Sequence, residues 1–438
     1  MPLAFHATPP EGDWLNDPNV LARIPGGYRM YAQHRSDAPD HRATGWGSFE
    51  SADLLRWRWT GVALPPREDG WAYSGSGVRT AEGLELFHTV HDPRDDLQHQ
   101  RRLLPDAPEG WLAAKDDPTL ARPAANRRDP FVFAWEGEWR MLLAQSCDWH
   151  GWSDDPPSHL VVLASTDRAE WREVGRIGPW HPQGVLWEVP VITRLDGSDV
   201  LILSLVDQRG GQATCSVRAW LGRFDGTGFT KDVGFPDEGQ LVDLGPDHYA
   251  LVPGVYGDWP GSAPFVAWAS SWRTARAPIW PDFAGGPITV PRRLEVRERG
   301  GRRRVHSTPW RSVASAFRPA AQCLEGGLGV AETDGSAAFE LTVAGPEASL
   351  LVRGDPGSGL MTARREATGA FAWSAQQTGT VLPATRRRLS LFVDGPLLEL
   401  FDEASGTSLT AALPGGATSA ALAVGRDRLD FSWSVYQP

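Results

Sequence analysis

Asp17-Pro18-Asn19-Val20-Leu21-Ala22-Arg23, a Gly26-Gly27 turn and Tyr28-Arg29-Met30-Tyr31-Ala32-Gln33 form a unit that the chain uses twice. The unit returns as Asp129-Pro130-Phe131-Val132-Phe133-Ala134, a turn at Gly137 and Trp139-Arg140-Met141-Leu142-Leu143-Ala144-Gln145. Asp17 and Asp129 are 112 residues apart, as are Gln33 and Gln145. Ser51-Ala52-Asp53-Leu54-Leu55-Arg56-Trp57 is echoed by Ser165-Thr166-Asp167-Arg168-Ala169-Glu170-Trp171 at nearly the same offset. Further strand–turn–strand patterns begin near Ser76, Glu188 and Asp243. Starts at 17, 76, 129, 188 and 243 divide this part of the chain into units of 53 to 59 residues. Each run is short, rich in β-branched, aromatic and aliphatic residues, and bounded by Gly, Asp or Pro, which are hairpin signals. No long amphipathic helical pattern competes with them. Five units of about four strands predict a five-bladed β-propeller, in which the starts of the inner strands meet at one end of a central channel.

From about residue 305 the pattern changes to alternating strands such as Ala338–Val343, Leu389–Val393, Leu397–Phe401 and Leu429–Trp433, with Asp394-Gly395 as a hairpin turn. These predict a β-sandwich. The expected organisation is all-β: a propeller over residues 1–295, a basic connector running from Pro291 to Arg304, and a sandwich over 305–438. Of the 21 tryptophans, 18 precede residue 300, so the two parts have different tasks. Flat aromatic faces suit sugar rings as well as cores.

Bulk properties narrow the function. The formal net charge is −11, which disfavours a nucleic-acid partner, because phosphate binding needs a basic surface. The basic cluster at 291–304 reads better as a solvated strand than as a nucleic-acid site. No apolar run approaches the length of a membrane span. Met1-Pro2-Leu3-Ala4-Phe5-His6 has neither a basic nor an apolar leader pattern, so the expected location is cytoplasmic. Cys147, Cys215 and Cys323 form neither a metal spacing nor a disulfide framework and read as reduced thiols. The sequence leaves the oligomeric state open.

Three unit starts carry a carboxylate beside proline: Asp17 in Trp14-Leu15-Asn16-Asp17-Pro18-Asn19, Asp129 in Arg127-Arg128-Asp129-Pro130, and Glu188 in Trp187-Glu188-Val189-Pro190. Proline holds the preceding backbone extended and helps to fix where the acid points. Singly, an Asp-Pro pair is usually a turn. Jointly, three acids at equivalent repeat positions converge, and converging carboxylates repel unless they are used. Paired carboxylates are what glycoside hydrolysis requires, one ionised to attack or activate water and one protonated to release the leaving oxygen.

At these residues the chain resembles glycoside hydrolase family 32, which includes invertases, inulinases and levanases. Trp14–Asn19 is similar to that family's nucleophile motif, Arg128-Asp129-Pro130 to its arginine–aspartate–proline motif, and Trp187-Glu188-Val189-Pro190 to its acid/base motif. Trp46-Gly47, Tyr73-Ser74-Gly75-Ser76, Asp243 to Ala250, Pro287 to Arg292 and Phe392 to Phe401 follow in the family's order.

The resemblance implies a propeller joined to a sandwich. It also implies Asp17 as nucleophile on a terminal β-linked fructosyl unit, Glu188 as acid/base, and Asp129 as a transition-state stabiliser holding fructose hydroxyls. Asn16, Gln33, Trp46, Tyr73, Ser76 and Arg128 match positions lining the fructose pocket, with Trp272 a looser match. No metal or organic cofactor is implied, and the implied partner is a fructoside: sucrose, a fructo-oligosaccharide or a fructan. The family usually has glycine at Val20 and commonly cysteine at Val189. Val189 adjoins the acid and bears on its environment.

Other readings of the same residues are a fructosyltransferase using the same covalent intermediate, a non-catalytic carbohydrate-binding propeller, and a related five-bladed family acting on arabinosides or xylosides. Retention of all three carboxylates weighs against the second. The Trp14–Asn19 context and the attached sandwich weigh against the third.

Overall fold

The structure, a computed structural model, describes residues 3–37, 42–68, 70–104, 112–113, 124–147, 156–210, 213–259, 261–299, 301–320, 326–367, 371–378 and 380–436. Cys323 lies outside the described residues. Among the described residues almost all regular structure is β-strand, with a 3-10 turn at Ala314–Ala316.

Five antiparallel sheets follow one another along residues 14–309. They begin with strands Trp14–Ile24, Trp71–Thr80, Arg127–Trp135, Val185–Leu195 and Tyr249–Pro253, and each sheet steps outward in chain order. The first strands Trp14–Ile24 and Val185–Leu195 are buried on both faces through most of their length. The outermost strand Arg58–Leu64 alternates exposed and half-buried residues before its buried end. That gradient follows composition: continuous apolar runs need cover on both sides, and alternating runs need it on one.

Consecutive first strands are tied side by side through polar side chains. Gly75 N donates to Asn19 Oδ1 at 3.2 Å, Val132 N to Ser76 Oγ at 3.1 Å, and Val189 N to Asp129 Oδ2 at 2.9 Å. The fifth first strand is tied instead to the second strand of the fourth sheet, Ser198–Asp207, where Ala250 N donates to Ser204 Oγ at 3.0 Å. The fifth sheet returns to the first through a parallel bridge between Leu21 and Gly254. The short strand Ala284–Gly285 adds to the outside of Trp14–Leu15 in parallel.

Residues 317–436 form two six-stranded antiparallel sheets. They share one core, with Leu341, Val352 and Leu422 from one sheet against Leu391, Leu400 and Leu409 from the other. Their junction with the N-terminal sheets is a buried ionic network. The Arg292 guanidinium donates to Asp243, Glu399, Ser408 and Thr410. His6 lies between Asp394 and Glu399, 2.7 and 2.9 Å away. Removing one partner from such a network leaves a buried unpaired charge, which is costly.

Two expectations need correction. The basic stretch from Pro291 to Arg304 is not a connector. Arg292–Arg299 and Arg302–Pro309 form a hairpin that completes the fifth sheet. Leu294 and Val305 enter the core, while Arg293 and Arg297 pair with Glu295 and Arg303 with Asp232. The fifth unit also starts its first strand at Tyr249 rather than at Asp243. Asp243 is taken up by Arg292, Ser408 and Thr410 at the junction.

Candidate active site

Each of the five first strands breaks register near its start. The shifts flank Pro18, lie between Ala72 and Gly75, fall opposite Asp129-Pro130, and separate Glu188 from Val191 and Tyr249 from Val252. Proline has no N–H to offer the ladder, so Pro18, Pro130 and Pro190 favour such interruptions. A bulge re-aims the side chain beside it. Against the extended geometry expected of a residue before proline, the backbone turns left-handed at Asp129 (φ 61°) and Val189 (φ 47°), and it does so again at Ala250 (φ 53°). A β-branched residue at positive φ is strained by about 1–3 kcal/mol. At Val189 the consequence is useful: its N–H points at Asp129 Oδ2, 2.9 Å away.

The bulges bring Asp17, Asp129 and Glu188 into one buried cluster. Asp17 is held on both oxygens. Asn16 Nδ2 donates to Oδ1 at 3.2 Å, and Ser74 Oγ donates to Oδ2 at 2.8 Å. Gln33 braces both donors, accepting from Asn16 at 2.7 Å and donating to Ser74 at 2.7 Å. Glu188 accepts from the Arg128 guanidinium at 3.1 Å and from Tyr249 Oη at 2.6 Å. Asp129 accepts from Val189 N, and its own N–H donates to Thr89 Oγ1 at 2.9 Å.

Burial pushes the Asp17 carboxyl up to about 7, with the Glu188 charge adding to it and the Ser74 and Asn16 hydrogen bonds opposing it. Burial and then the Glu188 charge push Asp129 up to about 8, with Arg128 opposing. The Asp17 charge adds to the rise at Asp129, so the protonation of these two carboxyls is linked. The cluster therefore holds a proton near neutrality, as a site combining an acid with an attacking carboxylate requires.

The other residues expected from the sequence fall into three positions. Asn16, Gln33 and Arg128 contact the carboxylates as described. Tyr73 lies close enough to sense the charges of Arg128, Glu188 and Asp129, and burial raises its phenol to about 12. Its ring stacks on His91 at 5.0 Å, and its carbonyl accepts from Trp46 Nε1 at 3.0 Å. Trp46 is fully buried and forms the wall behind it.

Trp272 is reached through a chain of indoles in contact. It packs edge-on against Trp268 at 5.1 Å, Trp268 lies against Trp14, and Trp14 Nε1 donates to Asn16 at 2.8 Å. Ser76 stands apart from the carboxylates, its hydroxyl engaged by Val132 N between sheets. Ser74, Tyr249 and Thr89 were missed. Ser74 stood inside a quoted motif, but which of its residues faces the site is set by the bulge. Tyr249 likewise stood inside the Asp243 to Ala250 stretch, but that its hydroxyl meets Glu188 is set by the register break between Tyr249 and Val252. No group of three or more His, Cys, Asp and Glu side chains among the described residues is arranged to hold a metal ion.

The family model described as "Glycosyl hydrolases family 32 N-terminal domain" matches residues 6–309. The chain belongs to glycosyl hydrolase family 32. The matched family 32 segment ends where the fifth sheet ends, at Pro309.

Among curated relatives, a sucrose-6-phosphate hydrolase of Bacillus subtilis is 32% identical over 213 residues, covering 46% of this chain and 43% of its own length. A levanase of the same organism is 27% identical over 329 residues, covering 70% and 46%. The chain thus spans about half the length of these curated relatives. A crystal structure of the exo-inulinase of Aspergillus awamori superposes with a TM-score of 0.79 at 21% identity, over 99% of this chain and 97% of that one. The structure of a sucrose-6-phosphate hydrolase from Lactobacillus gasseri gives 0.76 at 20% identity, over 99% and 91%. These likenesses bear on fold.

Proposed function

We propose that this family 32 chain is a retaining glycosidase that releases terminal β-fructosyl units from sucrose, fructo-oligosaccharides or fructans. The observation that carries the reading is the convergence of Asp17, Asp129 and Glu188 from the same bulged position of three sheets. The roles follow from what each acid touches. Asp17 is gripped on both oxygens by Ser74 and Asn16, which suits a nucleophile that must be aimed at an anomeric carbon. Glu188 faces Arg128 and Tyr249, two donors that stabilise the carboxylate left after it protonates the departing oxygen. The same carboxylate then accepts a proton from the water that hydrolyses the fructosyl–enzyme. Asp129, anchored by the Val189 amide, keeps one oxygen for sugar hydroxyls as charge develops on the ring.

We read the five N-terminal sheets as blades of a β-propeller and the two six-stranded sheets as a sandwich. Side-by-side first strands and the return of the fifth sheet to the first support the propeller, and the shared apolar core supports the sandwich. The catalytic unit, expected over 1–295, is placed on this reading to the end of the fifth-sheet hairpin at Pro309, before the sandwich.

Incubation with sucrose, inulin and levan, with the released sugars identified over time, tests the reading. Free fructose is expected from at least one of them, and Asp17→Ala is expected to abolish its release. Full fructose release by that variant would refute the assignment. Oligosaccharide products from concentrated sucrose would move the reading to a fructosyltransferase.

A further inference from the structure

Beside the carboxylate site, a cleft of about 840 Å³ runs between the fourth sheet and the C-terminal sheets. Its size falls within the range of small-molecule sites. Its lining is cationic in a chain whose net charge is −11, with Arg218, Arg273, Arg364 and Arg365 on its walls against Asp243 and Glu366. Both acids are already engaged: Asp243 with Arg292, and Glu366 with Arg364 at 2.7 Å. Arg365 pairs with Asp247.

Arg218 and Arg273 have no ion-pair partner among the described residues. Arg218 donates only to the Glu238 and Gly239 carbonyls, and Arg273 to the Ala372 carbonyl. Two buried N–H groups in this wall, Arg273 Nε and Arg365 Nη2, have no hydrogen-bond partner among the described residues. Buried donors are normally satisfied, and guanidinium groups cannot relieve the cost by losing a proton. Two half-buried guanidinium groups that form no ion pair, with the Glu238 charge near Arg218 too distant to pair and unused donors beside them, match the demand of a tetrahedral oxyanion with several acceptor oxygens.

We propose that this cleft binds a phosphate-type oxyanion, either free or carried by a small metabolite. The inference is separate from the carboxylate site and does not depend on which glycoside is cleaved there. It predicts a second, saturable ligand site on the folded chain.

Calorimetric titration at pH 7, with ionic strength fixed by sodium chloride, tests it using inorganic phosphate, glucose 6-phosphate and citrate. Saturable binding of phosphate or the sugar phosphate is expected in the millimolar range or tighter, on the order of 1 mM. A tighter sugar phosphate identifies a metabolite-borne group; equal affinity identifies free phosphate. Arg218→Gln and Arg273→Gln are each expected to weaken binding at least about tenfold. If Arg273→Gln does not fold, Arg218→Gln decides alone, because its carbonyl bonds lie within the N-terminal part of the chain. Absence of saturable binding up to about 10 mM would overturn the proposal. So would unchanged affinity in a folded variant, the result expected if these arginines only brace the junction. Citrate binding tighter than both phosphates would overturn the assigned chemistry.

Discussion

Asp17→Asn should inactivate the enzyme and stabilise the fold, with the stabilisation growing as pH rises. The native carboxyl is pushed from 3.8 to about 7, chiefly by burial and then by Glu188. A raised pKa means that the native state binds the proton more tightly than the unfolded chain. The associated stability is full below the unfolded value near 4 and is lost as pH rises through about 7. A shift of about 3 units at 1.36 kcal/mol each makes ionised Asp17 a cost of about 4 kcal/mol at pH 8.

Asparagine fills the same space without charge and removes that cost. It also withdraws one of the charges raising Asp129. An unfolding entropy of about 2.1 cal/mol/K per residue over 438 residues gives about 0.9 kcal/mol/K, so the melting temperature at pH 8 should rise by about 4 °C. At pH 4.5 the native Asp17 is neutral and only the proton taken up from the mostly ionised unfolded carboxyl remains as a cost, so the gain should shrink to about 1 kcal/mol, or about 1 °C. Thermal melts of both proteins at pH 4.5 and pH 8 check this. A variant no more stable than the parent at pH 8, or equally stabilised at both pH values, would refute the claim that Asp17 is held at an energetic cost.

Three further outcomes are expected. Tyr249→Phe removes a hydroxyl that donates to Glu188 at 2.6 Å; loss of one hydrogen bond to a charged group should lower kcat by about 10- to 100-fold, and an unchanged kcat would remove Tyr249 from the site. Ser74→Ala withdraws a hydrogen bond that favours ionised Asp17, so the pKa of Asp17 should rise further and the acid limb of kcat/KM should move to higher pH by about one unit. A limb that stays put would show that another group controls it. His6 is raised to about 9: burial opposes its charge, but the hydrogen bonds it donates to Asp394 and Glu399, with their charges, outweigh burial. Its contribution is full below 6.5 and lost as pH rises through about 9, so His6→Ala should cost about 3 kcal/mol at pH 6, with the difference shrinking by pH 10 in parallel denaturation curves.

The catalytic frame was legible because its signal is periodic. The 112-residue offset of Asp17 and Asp129 reflects equivalent strands two sheets apart, and Glu188 occupies the same bulge in the next sheet. The fifth unit blurred because no acid lies in its first strand, and the two just before it, Asp243 and Asp247, are taken by Arg292 and Arg365. Ser76 and Ser74 lie two residues apart around a register break, and only the break decides which one meets Asp17. Composition made 292–304 look like a solvated connector, yet Arg292 is fully buried. A charged residue can be interior when its partners come from distant segments, and such partners leave no local trace in sequence.

The tether at His6 bears on how the protein is made. Ala4 and Phe5 donate their N–H groups to Asp394, His6 reaches Asp394 and Glu399, and Trp14 pairs with Ala284. A ribosome adding about 5–20 residues per second leaves His6 waiting roughly 20–80 seconds for residue 399. The Trp14–Leu15 edge of the first sheet stays open until Ala284 and Gly285 emerge, and the N-terminal segment waits longer, for Asp394 and Glu399. Docking of that segment is therefore among the last events in biosynthesis, and the first sheet carries an open edge, a place for edge-to-edge association, through the making of the next four sheets.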